Sequence, residues 1–157
     1  MSLYKTDYYL WVLETVNQLQ SRDFTSIDWE NLIEEVWDLG RSEKGKLKSL
    51  LRSLCEHLLK LTYWESEIDR NKFHWRGEIR NFRQQIQDEL EESPSLKNYL
   101  DEVLLECYQD AREIFADKSQ IPLSSLPEIP MGTLEQILDA KWLPNHNNHD
   151  PNHAPNQ

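Results

Sequence analysis

Arg52 and His57 are the two residues in this chain whose types and spacing best fit catalysis, with four residues, Ser53-Leu54-Cys55-Glu56, between them. A metal-free ribonuclease needs a base to take the 2′-hydroxyl proton and a cation to hold the phosphate, and histidine and arginine suit those jobs. The spacing weighs against the pair acting together. Five helical steps set Arg52 and His57 about 140° apart around one straight helix. The favoured reading is therefore structural, with His57 packed or hydrogen-bonded at a seam between helices.

A second candidate is the stripe Arg76, Arg80 and Arg83, with Trp75 beside it. Basic residues next to aromatics bind single-stranded nucleic acid or phosphate. The competing expectation is an antiparallel pairing with the acidic stripe Glu106, Asp110, Glu113 and Asp117, giving internal salt bridges. Glu30, Glu34, Glu35 and Asp38 cluster on another predicted helix, but di-iron bundles use Glu-x-x-His pairs. None occurs before the tail, so no metal site is expected and the carboxylates read as a solvated face. His146, His149 and His153 lie in a tail without an apolar anchor, where any metal binding would be weak and adventitious. Nucleophile elbows, glycine-rich phosphate loops and Cys-x-x-Cys pairs are absent, and no cofactor is implied.

These residues must be positioned by helices. The 157 residues include six tryptophans, six tyrosines and only four glycines, which suits amphipathic helices better than a turn-rich β fold. The expectation is an all-α, single-domain bundle of five to six helices over residues 1–144, with a disordered Asn/His/Pro-rich tail over 145–157. The first helix should follow Thr6, with Leu10, Leu13, Val16 and Leu19 on one face. Asp28 should cap the next, which carries Trp29, Leu32, Ile33, Val36 and Trp37. Gly40 leaves open whether residues 28–64 form two helices or one bent helix, and near-continuity is favoured because no proline or turn cluster follows.

Leu47, Leu50, Leu51, Leu54, Leu58 and Leu61 make the clearest stripe and should be the most buried segment. Residues 62–71 read as a connection, and 72–92 as a further helix. Ser93-Pro94 should then start a helix reaching about Lys118, with Ser93 as cap and Pro94 in first position. Pro122, Pro127 and Pro130 predict an extended strap, followed by a short helix opened by a Thr133/Gln136 capping box.

The net charge of −11 disfavours non-specific contact with nucleic acid over the whole surface. Ten of the seventeen basic residues nevertheless sit in two windows, 41–52 and 70–83, each holding one acid. Cys55 and Cys107 lie in apolar-periodic stretches and read as buried thiols of a cytoplasmic protein. The N-terminus does not read as a signal peptide. No apolar run approaches the roughly 20 residues of a membrane span.

Several strings, in order, resemble a family catalogued as domain of unknown function number twenty-nine. They are Tyr8-Tyr9-Leu10-Trp11, Asp28-Trp29-Glu30-Asn31-Leu32-Ile33-Glu34-Glu35 and Asp38-Leu39-Gly40-Arg41-Ser42-Glu43-Lys44, then His57-Leu58-Leu59-Lys60 and Trp75-Arg76 with Ile79-Arg80. Glu92-Ser93-Pro94-Ser95-Leu96, Tyr108-Gln109-Asp110-Ala111-Arg112, Thr133-Leu134-Glu135-Gln136-Ile137-Leu138 and Trp142-Leu143-Pro144 complete the set. The resemblance covers about residues 4–144 and implies a small bacterial, typically cyanobacterial, all-helical protein with no transferable activity. Leu61 departs from it, since a tryptophan usually follows the lysine there. Separately, the Arg52–His57 spacing resembles the ribonuclease motif of the HEPN superfamily of helical domains.

The function expected is a helical interaction module that docks an unidentified protein partner, with a homodimer as one form and no membrane partner. The runner-up is a metal-independent ribonuclease or RNA-binding protein using Arg52 and His57 with Arg76, Arg80 and Arg83.

Overall fold

The computed structural model describes residues 2–144. It is 78% helical, with six α-helices and no strand among the described residues. The expected tail disorder and the three tail histidines lie outside the described residues. The helices are α1 (Leu3–Thr6), α2 (Tyr8–Gln20), α3 (Trp29–Tyr63), α4 (Glu65–Glu92), α5 (Leu96–Ser119) and α6 (Leu134–Leu138). The chain divides into two compact units, one up to Glu43 and one from Lys44 onward.

The first unit is a helical hairpin. Asp7, rather than Thr6, caps α2 by accepting from the Leu10 N–H at 3.0 Å, because residues 3–6 already form a turn of helix. Asp28 accepts from the Asn31 N–H (3.3 Å) and Asn31 Nδ2 (2.6 Å) at the start of α3. Helix α3 then runs unbroken past Gly40 and Gly45 to Tyr63. Alanine in place of either glycine would meet open space, so neither marks a close approach. The hairpin buries little: Trp11, Thr15 and Ile27 are its buried side chains.

The second unit holds the hydrophobic core. Leu47, Leu51, Leu54, Leu58 and Leu59 of α3 pack with Ile79 and Ile86 of α4 and with Leu100, Cys107, Tyr108, Ala111 and Phe115 of α5. Burying such side chains stabilises the fold by about 1.5–3 kcal/mol each. Leu50 and Leu61 border the core, as the edges of a helical stripe should.

The connection expected over 62–71 is instead helix on both sides of a single junction residue, Trp64 (φ −86°, ψ 64°). Its mixed charge reflects an exposed first turn. Glu65 and Glu67 sit there, where acids favour a helix N-terminus. The break is set by packing, since Trp64 stacks on Trp75 (5.8 Å between centroids, 17° between planes) and meets the Phe115 ring edge-on. Ser93-Pro94 also differs from expectation. Both precede α5 in a turn, and the helix begins at Leu96.

After α5 the chain makes one 3-10 turn, Leu123–Ser125. Leu126 enters the core, and Tyr108 donates to the Pro127 carbonyl at 2.6 Å. The capping box at Thr133 forms with both reciprocal bonds to Gln136. Gly132 permits a close approach beside it. A Cβ there would stand 2.7 Å from the Trp142 ring and 2.9 Å from Gln136 Oε1.

Candidate functional site

The hairpin's apolar stripes exist as the sequence spacing implies, but they face outward. On α2, Leu10, Leu13 and Val16 are 45–48% exposed, while Trp11 and Thr15 are buried instead. On α3, Trp29, Ile33, Val36 and Trp37 are 45–62% exposed and Leu39 is 69% exposed. Of the sixteen large hydrophobics left exposed among the described residues, eleven fall before Lys44. Isolated exposed apolar residues are normal, whereas a contiguous patch marks an interaction surface.

Trp29, Leu32, Ile33, Val36, Trp37 and Gly40 line one concavity of about 520 Å³. The spacing i, i+3, i+4, i+7, i+8, i+11 is one face of a helix, with an indole at each end and no side chain at Gly40 to fill the floor. Trp29 is fixed by donating from Nε1 to the Phe24 carbonyl at 2.9 Å. A smaller groove of about 210 Å³ runs between α2 and α3, lined by Trp11, Val12, Leu19 and Leu39 among others. Trp11 Nε1 is buried there with no hydrogen-bond acceptor among the described residues.

The two hairpin helices are tied by carboxylate chemistry. Tyr4 and Tyr8 donate their hydroxyls to the two oxygens of Glu35, at 2.5 and 2.7 Å. Giving up a proton beside a carboxylate is unfavourable, so the Tyr4 phenol is pushed up to about 12, and that of Tyr8 upward, by the bond to Glu35. Arg41 bridges Glu34 (2.8 Å) and Asp38 (2.5 Å) on the solvent side. The carboxylates read as a solvated face thus divide. Glu34 and Asp38 lie in that exposed pairing, whereas Glu35 clasps two phenols.

Arg52 and His57 face different helices. His57 Nδ1 lies 2.8 Å from the Ser53 carbonyl, so the ring donates there and leaves Nε2 as the acceptor when neutral. Its ring meets Phe82 of α4 edge-on at 5.0 Å. Burial lowers its proton affinity, partly opposed by the Ser53 bond. Arg52 lies where its charge favours the Cys107 thiolate on α5. No hydrogen bond joins Arg52 to His57 among the described residues.

The expected pairing of the basic stripe with the acidic stripe of α5 is not what the structure contains. Glu106 pairs with Lys48 of α3 at 2.6 Å, and Arg76, Arg80 and Arg83 form no ion pair among the described residues. Arg83 is buried and donates to backbone carbonyls instead. Its partners come from the α6 segment, which the helical wheel of α4 and α5 alone did not include.

The model for Domain of unknown function DUF29 matches residues 3–143. The chain belongs to the DUF29 family. No curated protein and no solved structure matches it. The family has no established role to transfer. Among the described residues of this DUF29 chain, no group of His, Cys, Asp and Glu side chains could hold a metal ion. No helix there is long and apolar enough to cross a membrane.

Proposed function

We propose that this DUF29 chain is a cytoplasmic helical interaction module whose N-terminal hairpin docks an amphipathic helix of a protein partner, with basic residues flanking that helix's apolar face. The observation that carries this reading is the run of half-exposed Trp29, Ile33, Val36 and Trp37 along one helix face. An amphipathic helix laid in an apolar groove, read by anchors one turn apart, is a recurring recognition mode. The face spans about 16 Å over residues 29–39 at 1.5 Å per residue, enough for three turns of partner helix.

Charge selects the occupant. Residues 1–43 carry nine carboxylates and three cationic side chains, a net charge of −6. A second copy would bring −6 against −6, and like charges around an interface disfavour association. A helix flanked by Lys or Arg meets the complementary field. The two unpaired thiols, Cys55 and Cys107, are in keeping with a reducing compartment.

The test is a titration with two synthetic helical peptides that share one Leu/Ile face, flanked by lysines in one and glutamates in the other. Tryptophan fluorescence should report saturable micromolar binding of the lysine peptide, at least tenfold tighter than the glutamate peptide. The double substitution Ile33→Ser, Val36→Ser should abolish it without lowering the melting temperature. Equal binding of the two peptides would defeat the proposal. So would a stable dimer in sedimentation that dissociates on the same double substitution, because a second copy would then be the occupant.

A further inference from the structure

The two basic windows of the sequence have different fates. In the first, Arg41 pairs with Glu34 and Asp38, Lys46 with Glu89 and Lys48 with Glu106, while Lys44 stands over the Tyr99 ring. Four of that window's five basic side chains are thus engaged within the fold, and the fifth, Arg52, lies where its charge reaches Cys107. In the second, Arg76 and Arg80 are exposed, one turn apart on α4, and take part in no ion pair among the described residues. They line a groove of about 390 Å³ with Arg83, Ile79, Lys141 and Leu143.

Arg83 makes this groove more than a charged surface. Its side chain is only 4% exposed, yet among the described residues it has no carboxylate in ion-pair contact. Nε donates to the Ile137 carbonyl (2.8 Å) and Nη2 to the Trp142 carbonyl (2.7 Å). Asp139 is the acid whose charge reaches it, from beyond ion-pair distance, and Asp139 itself accepts from the Lys141 N–H at 2.9 Å. A buried cation held by two carbonyl dipoles and a carboxylate beyond contact is expensive to keep, and an anion in contact would offset that expense. The two carbonyl bonds also lock the guanidinium in place, so the positive floor is rigid before anything binds.

From this geometry we infer that the groove formed by Arg76, Arg80, Arg83 and Lys141 binds a phosphate group. Guanidinium forks match phosphate oxygens in paired hydrogen bonds, and the lysine adds a point charge. The volume equals about a dozen waters at about 30 Å³ each, more than a bare ion needs. Ile79 and Leu143 give the remaining space an apolar wall, suited to the organic part of a phosphate ester. The phosphate can come from a small phosphorylated molecule or from the backbone of a single-stranded nucleic acid. This site uses none of the hairpin residues and stands whether or not the docking proposal does.

The experiment follows backbone amide shifts of the full chain while inorganic phosphate and, separately, a ten-nucleotide oligouridine are added. Saturable shifts centred on Arg76, Arg80 and Lys141 are expected with at least one of them. The tighter probe identifies the source of the phosphate. Arg76→Gln with Arg80→Gln should weaken binding at least tenfold while the melting temperature stays put, since both side chains are exposed. Arg70→Gln with Lys72→Gln removes the same charge from the same helix outside the groove and should change affinity less than threefold. Equal loss in the two double variants would mean diffuse electrostatics and overturn the site. Absence of saturable shifts with both probes would overturn it as well.

Discussion

Replacing Arg83 by alanine would strip the Ile137 and Trp142 carbonyls of their donor at once. A buried carbonyl left without a partner costs about 1–3 kcal/mol. The Trp142 end is only partly buried, so water can recover some of that loss. Removing a buried cation that has no carboxylate in contact among the described residues works in the other direction. The net expectation is a loss of about 2–4 kcal/mol, which at about 2–4 °C per kcal/mol lowers the melting temperature by about 5–15 °C. Arg83→Lys should fall between, because an ammonium lacks the fork that reaches two carbonyls together. Arg80→Ala on the exposed side of the same helix should stay within about 0.5 kcal/mol of the parent. Chemical denaturation followed by circular dichroism measures all three. A loss below about 1 kcal/mol for Arg83→Ala would refute the role given to its two carbonyl bonds.

Three further outcomes are expected. Gly132→Ala must displace either the Trp142 ring or the Gln136 arm of the capping box, and should destabilise by about 1–3 kcal/mol in the same denaturation assay. Cys55 and Cys107 are both held protonated by burial, Cys107 near 11, so a thiol reagent should label neither in the native chain and both after unfolding. Burial holds the His57 imidazole below its ordinary value of about 6.5, so below that pH the unfolded chain takes up the proton first. Stability should therefore fall as pH drops through 6.5 towards the folded value, and His57→Gln should flatten that part of the pH profile.

Much of this architecture is legible in the sequence because its causes are local. The leucine period of residues 47–61 predicts a buried stripe, and the Thr133/Gln136 pair predicts a capping box that forms in full. The missed features depend on partners distant in the chain. Trp64 breaks a helix by stacking on Trp75, and no nearby glycine or proline marks the place. The groove proposed for phosphate adds Lys141 to the Arg76, Arg80 and Arg83 stripe, a neighbour that no helical period relates to it. Leu10, Leu13 and Val16 show where apolar residues lie on α2, but periodicity carries no information about what covers them. Arg52 and His57 are the converse case. Their spacing invited a joint role, and the fold turns them towards α5 and α4 respectively.

The docking role of the hairpin is tested most directly by comparing what the parent chain and the Ile33→Ser, Val36→Ser variant capture from native lysate under cross-linking. At least one protein should be captured by the parent and depleted tenfold or more by the variant, in line with losing two interface anchors at about 2 kcal/mol each. Its cross-links should fall between residues 29 and 40 and lead to a helix with an apolar face and basic flanks. An unchanged set of captured proteins, or cross-links that fall only after Lys44, would contradict the account.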